Sequence, residues 1–251
     1  MRLLTASVLT IALAAIAMSA EAQVLFHEDW ESPTWNVGDV MITQNGWSRA
    51  TGNFSRPEII ASATGLTGQV ADASNPSGTI GTFSSFTNTA GLDNIPAIPP
   101  DGELNLSWRW LLNPSGGEGV TGSANVGFLS GVNLSLSILN NGTQARFTDM
   151  DDNDTPVDLP LGGGAEQVVD FELFATNNGG GSHGWRMNGV TMATIAGAPT
   201  FNNIGSMRWG CGRDAGFNCG IMGDITVTVT PEPASLGLLA LGGLAVLSRR
   251  R

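Results

Sequence analysis

The stretch Glu103-Leu104-Asn105-Leu106-Ser107-Trp108-Arg109-Trp110-Leu111-Leu112 alternates with a period of two. Successive residues of a strand point to opposite faces, so Leu104, Leu106, Trp108, Trp110 and Leu112 line one face. Glu103, Asn105, Ser107, Arg109 and Leu111 line the other. The same period recurs outward from this stretch. Val132, Leu134, Leu136 and Ile138 alternate with Asn133, Ser135 and Ser137, and Asn141-Gly142 follows as a hairpin signal. Val169, Phe171 and Leu173 read inward with Asp170 and Glu172 outward, and Ile225, Val227 and Val229 alternate with threonines. Asn188-Gly189 marks another hairpin turn. No ten-residue window between 23 and 229 keeps a 3.6-residue period, so the expected class is all-β.

Composition narrows the architecture. The chain has 34 glycines in 251 residues, close to twice the usual share of about 7%, which favours many turns. Short strands and frequent turns without helical partners leave an antiparallel β-sandwich or a closed barrel. Lysine is absent, and residues 23–230 hold seven arginines against 20 acids, a formal charge of −13. Such a surface repels nucleic acid and anionic headgroups, so no nucleic-acid partner is expected.

The two ends read as addresses. Met1-Arg2 precedes an apolar run from Leu3 to Met18, then Ser19-Ala20-Glu21-Ala22, the pattern of a signal peptide cut by signal peptidase before Gln23. Residues 1–22 are therefore read as a signal peptide, 23–229 as one β-sandwich domain and 230–251 as a separate tail. That tail holds Pro231-Glu232-Pro233, fourteen uncharged residues from Ala234 to Leu247, and Arg249-Arg250-Arg251. As a helix the uncharged run spans about 21 Å against a hydrocarbon core of roughly 30 Å, so it makes a poor permanent anchor. Gly237, Gly242 and Gly243 weaken that helix further. The arginines would stay cytoplasmic, which places the preceding domain outside the inner membrane.

Pro231-Glu232-Pro233, one hydrophobic segment and a basic terminus, in that order, resemble the PEP-CTERM sorting signal of exported bacterial proteins. The resemblance implies that an exosortase recognises Pro231, Glu232 and Pro233, removes the hydrophobic sorting helix with Arg249, Arg250 and Arg251, and passes the protein to the cell surface or its polysaccharide matrix. Membrane association would then be transient, in a bacterium of Gram-negative type, with exopolysaccharide as a possible partner. The domain itself resembles concanavalin A-like, laminin-G-like jelly rolls through Phe26-His27-Glu28-Asp29-Trp30-Glu31-Ser32-Pro33, Gln44-Asn45-Gly46-Trp47 and Gly223-Asp224-Ile225-Thr226-Val227. In that family the first and last strands lie side by side, which would bring the opening and closing motifs together.

Candidate sites follow from residue type and spacing. Laminarinase-type glycoside hydrolases share the jelly roll and use paired carboxylates two residues apart on one strand. Glu28 falls on the opposite face from Asp29 and Glu31, and the latter two sit at the start of the domain, so no catalytic residue is assigned. A divergent glycan-acting hydrolase remains the alternative to a non-catalytic structural or carbohydrate-binding domain. Trp47 and Trp185 are the candidates for stacking on sugar rings, whereas Trp108 and Trp110 read as core. Asp149, Asp151 and Asn153 reproduce the first three ligand positions of a calcium loop, but Asp154 replaces its glycine and Pro160 its bidentate glutamate. An acidic hairpin tip without an ion is the competing reading, and no other cofactor is called for. Cys211 and Cys219 would pair as a disulfide in an oxidising compartment. His27 and His183 stand alone, the latter in a glycine-rich segment read as a loop, and Gly162-Gly163-Gly164 and Gly179-Gly180-Gly181 lack the features of a phosphate cradle.

Overall fold

A computed structural model describes residues 22–41, 44–51, 58–63, 65–72, 84–88, 102–112, 122–128, 133–139, 144–149, 153–159, 167–176, 181–197, 204–211 and 221–231. The described residues contain strands and no helix. Sheet A is built from β1 (Gln23–Glu28), β3 (Glu58–Ile60), β4 (Val70–Asp72), β6 (Gly102–Leu112), β11 (Gln167–Thr176), β12 (Ser182–Met187), β13 (Val190–Ala196) and β15 (Ile221–Pro231). Sheet B is built from β2 (Trp47–Thr51), β5 (Ser84–Asn88), β7 (Gly122–Phe128), β8 (Asn133–Leu139), β9 (Gln144–Thr148), β10 (Asp154–Asp158) and β14 (Ile204–Cys211).

The orders are β13-β12-β11-β6-β15-β4-β3 and β10-β9-β8-β7-β14-β5-β2, with β1 also pairing β15. Every pairing is antiparallel. The result is the expected jelly-roll sandwich, with the first and last strands adjacent: Gln23 lies opposite Val229 and Glu28 opposite Ile225.

Alternation decides which side chains meet between the sheets. Leu104, Leu106, Trp108 and Trp110 of β6, Phe171 and Leu173 of β11, and Val227 and Val229 of β15 pack with Leu134, Leu136 and Ile138 of β8 and Phe147 of β9. Fully burying an aliphatic or aromatic side chain is worth about 1.5–3 kcal/mol, so this two-sided layer is the main source of stability. Leu111 points to the outer face yet is buried, because Leu66, Val70 and Ile221 form a second, smaller apolar cluster with it. The apolar residue in an otherwise polar alternation thus marks where the 61–69 segment covers sheet A.

Two local devices shape the outer face. Asn188 and Gly189 both adopt positive φ, 49° and 76°, the geometry that lets a two-residue turn follow the twist of its strands. The Asn188 amide N–H donates to the Asp170 carbonyl and its Oδ1 accepts the Asp170 N–H. Between Met222 and Ile225, β15 carries one residue more than β6 needs. A bulge of this kind re-aims side chains.

Candidate functional site

The acidic opening of the domain is held within the fold. Glu28 ends β1, is buried, and accepts the indole N–H of Trp35 at 2.8 Å on one oxygen and that of Trp47 at 3.0 Å on the other. Trp30 adopts φ 60°, a left-handed conformation that costs a non-glycine residue of order 1–3 kcal/mol and persists only where the surroundings enforce it. Here the enforcement is visible: its indole N–H donates to the Gly223 carbonyl at 2.8 Å, and its ring packs against Trp35 and Trp47 at centroid distances of 5.7 and 5.5 Å. Asp29 caps the Glu31 amide. Glu31 accepts the Gln69 backbone and side-chain amides. None of these three carboxylates is presented to solvent as a free pair.

A different set of polar groups lines a cleft of about 290 Å³ on the outer face of sheet A. Its floor is crossed by β11, β6 and β15, and register puts complementary groups opposite one another: Asp170 faces Arg109, Glu172 faces Arg186 and Ser107, and Ser107 faces Thr226. Leu66, Thr67 and the Gly189 turn complete its lining. Arg109 Nε donates to Asp170 at 2.9 Å. The Arg186 guanidinium donates to both Glu103 oxygens at 3.1 and 3.2 Å, to the Asn105 side-chain oxygen at 3.3 Å, and to Glu172. Its carbon lies 4.0 Å from the centre of the Phe174 ring. Burial opposes the charge on Arg186, but hydrogen bonds and charge from Glu103 and Glu172 outweigh it and raise its pKa above the usual arginine value. The bulge aims Asp224 outward, 3.9 Å from His27 Nε2. The cleft is therefore floored by cation–carboxylate pairs: the multiply bonded, partly buried Arg186 cluster and the more exposed Arg109–Asp170 pair.

The residues chosen from sequence fall elsewhere, and two assignments are corrected. Trp47 and Trp185 are 1% and 0% exposed, so neither offers a ring face to a sugar. The turn at Asn45 and Gly46, with φ of 47° and 84°, folds Trp47 inward to Glu28. Trp185 alternates inward on β12 and packs beside Phe171. Trp108 and Trp110 are core, as expected. His183, expected in a loop, is a buried residue of β12 near the Phe147 ring.

Of the three calcium candidates, Asp149 and Asn153 are described. Buried Asp149 accepts the Asn153 backbone N–H at 2.8 Å and its side-chain amide at 3.3 and 3.1 Å. Asn153 thus offers hydrogens to Asp149 in this arrangement. No cluster of three or more His, Cys, Asp and Glu suited to a metal ion occurs among the described residues. Asp151, Cys219, the expected signal peptide as far as Glu21 and the tail from Glu232, with Pro233 and Arg249 to Arg251, lie outside the described residues. Cys211 ends β14, and the expected disulfide lies outside them with Cys219.

β15 runs through Thr230 to Pro231, opposite Glu103 and Gly102. A family model described as the PEP-CTERM protein-sorting motif matches residues 229–251. The chain carries a PEP-CTERM sorting motif. The PEP-CTERM match begins at Val229, so the motif starts within the last strand of the sandwich. It marks the protein as exported and sorted by an exosortase. A comparison with curated protein sequences found no match.

Among solved structures, a conserved carbohydrate esterase from Shiga toxin-encoding bacteriophage phi24B is similar at 12% identity, over 84% of this chain and 100% of that one, with TM-score 0.56. An endo-1,3-beta-glucanase from Streptomyces sioyaensis is similar at 13% identity, over 86% and 99%, with TM-score 0.52. At such identities the likeness establishes the jelly-roll fold. Chemistry has to be argued from the site.

Asp170, Glu172, Arg109, Arg186 and Asp224 were not singled out from sequence. The available signal was charge of both signs at the outward positions of neighbouring strands, acids on β11 and arginines on β6 and β12, which a search for acids clustered in sequence passes over.

Proposed function

We propose that the domain is a non-catalytic glycan-binding jelly roll, which an exosortase releases from its tail and hands to the cell surface or its polysaccharide matrix. The cleft across β11, β6 and β15 is the binding site, and its ligand is a neutral, hydroxyl-rich polysaccharide. The observation that carries this reading is the pairing in the cleft of Arg109 with Asp170 and of Arg186 with Glu172, with Glu103 holding Arg186 from beside it. Planar groups of both signs match hydroxyls, which donate and accept, and the several partners that hold Arg186 lower the ordering cost of binding there. An anionic chain would meet the surplus of carboxylates in and around the cleft.

One observation favours a second reading, hydrolysis. Asp170 and Glu172 stand two apart on β11 and share the outer face, the arrangement that a carboxylate pair requires. Their engagement by Arg109 and Arg186 favours binding. A glycan array probed with the exported protein tests the main reading, with binding to neutral glucans or related polymers expected. Release of reducing ends from a bound glycan, abolished by Glu172→Gln, would overturn the non-catalytic assignment. Absence of any glycan binding would overturn the binding role.

A further inference from the structure

The two sandwich edges formed by β13 and β10 differ in how they are protected. Unpaired backbone groups along an edge template pairing with another chain, and charges or proline normally blunt them. β10, at the edge of sheet B, carries Pro156 at its centre and Asp154 and Asp158 at its ends. β13, at the edge of sheet A, reads Val190-Thr191-Met192-Ala193-Thr194-Ile195-Ala196, with no charge and no proline. Val190 is 62% exposed, the highest of the exposed large hydrophobic residues among the described residues. Thr191, Thr194 and Ala196 are exposed as well. Met192, Ala193 and Ile195 pack on the core yet stay only partly buried, so the core is incompletely covered along this edge.

We propose that β13 is a self-association edge, through which two copies of this chain pair antiparallel and join their A sheets into one. Charge selects the partner. A domain with a formal charge of −13 over residues 23–230 repels its own copies at most orientations, and a seven-residue uncharged strand is where two copies approach without that penalty. An antiparallel strand pair is also self-complementary about a two-fold axis, so a single sequence suffices for both sides. The register shift between Trp185 and Arg186 makes Met192 an extra residue, leaving Ala193 to Ala196 in regular pairing with β12. The shared ladder is accordingly short. Such a contact buries less than a standard interface, and the association is weak and concentration-dependent.

Sedimentation velocity on the full chain in mild detergent tests this pairing, with Thr194→Lys and, on the protected edge, Thr155→Lys as variants. Wild type and Thr155→Lys are expected to shift from monomer to dimer as concentration rises. Thr194→Lys brings like charges together across the two-fold axis and is expected to need at least tenfold higher concentration for the same dimer fraction. A wild type that stays monomeric overturns the proposal. So does a Thr194→Lys variant that dimerises like wild type, which would assign association to the tail or another face. Hydrogen exchange on the wild type gives an independent reading without any substitution: the Thr194 and Ala196 amides, which point away from β12, should slow with concentration while those of β10 do not. Equal behaviour at both edges contradicts the pairing.

Discussion

Glu28 concentrates the residue-scale logic of the fold. A buried carboxylate is costly unless its oxygens are occupied, and here two indole N–H groups occupy them. Glu28→Ala leaves both donors buried without that acceptor, and a loss of about 2–4 kcal/mol is expected in chemical denaturation. The paired tryptophan experiment separates hydrogen bonding from bulk. Trp47→Phe removes a donor from Glu28, whereas the Trp185 indole N–H has no hydrogen-bond partner among the described residues. Trp47→Phe should therefore cost more than Trp185→Phe, and equal losses would mean that packing alone decides. At the acidic loop, Asp149 already accepts the Asn153 amides. Saturating calcium should leave the melting midpoint unchanged, where an ion bound at 100 times its dissociation constant would add about 2.7 kcal/mol.

At the scale of elements, much of the sandwich is legible in the sequence. Alternation places Leu104 to Trp110, Phe171, Leu173, Val227 and Val229 on the inner face, and Asn188-Gly189 announces its turn. What alternation does not carry is the cover over a strand. Leu111 breaks the polar series because Leu66 and Ile221 enclose it, and that contact is fixed by a segment forty-five residues away in sequence. Trp47 and Trp185 are misread for a related reason: the chemistry of tryptophan suits both a sugar platform and a core, and only the path of the chain decides between them. Asp224 is aimed by a bulge, which depends on the register between β15 and β6 rather than on β15 itself. β12 and β13 approach closely at Gly184, where a Cβ would lie 2.1 Å from the Ala193 carbonyl and 2.8 Å from the Phe174 ring. Gly184→Ala should cost roughly 1–3 kcal/mol by overpacking and forced backbone movement, read as a lower unfolding midpoint.

For the whole molecule, the arrangement of the ends matters as much as the cleft. Gln23 lies opposite Val229, and Val229 is also the first residue of the sorting motif. The two segments read as membrane addresses therefore join the sandwich on neighbouring strands, with no spacer between β15 and the motif. If the tail is a processing substrate, mass spectrometry of the mature surface protein should find no peptide ending at Arg251; its retention would contradict processing.

The outer-face cleft, and not a tryptophan platform, is proposed to take the glycan. Ser107 is the discriminating position, because it lies on the cleft floor with its hydroxyl 3.4 Å from the Thr226 carbonyl. Titration of a glycan identified on the array against wild type and Ser107→Trp, with unfolding midpoints measured in parallel, tests the claim most directly. An occluded floor predicts at least a tenfold loss of affinity with the fold retained. Unchanged affinity in a folded Ser107→Trp variant would place the site elsewhere and contradict the account.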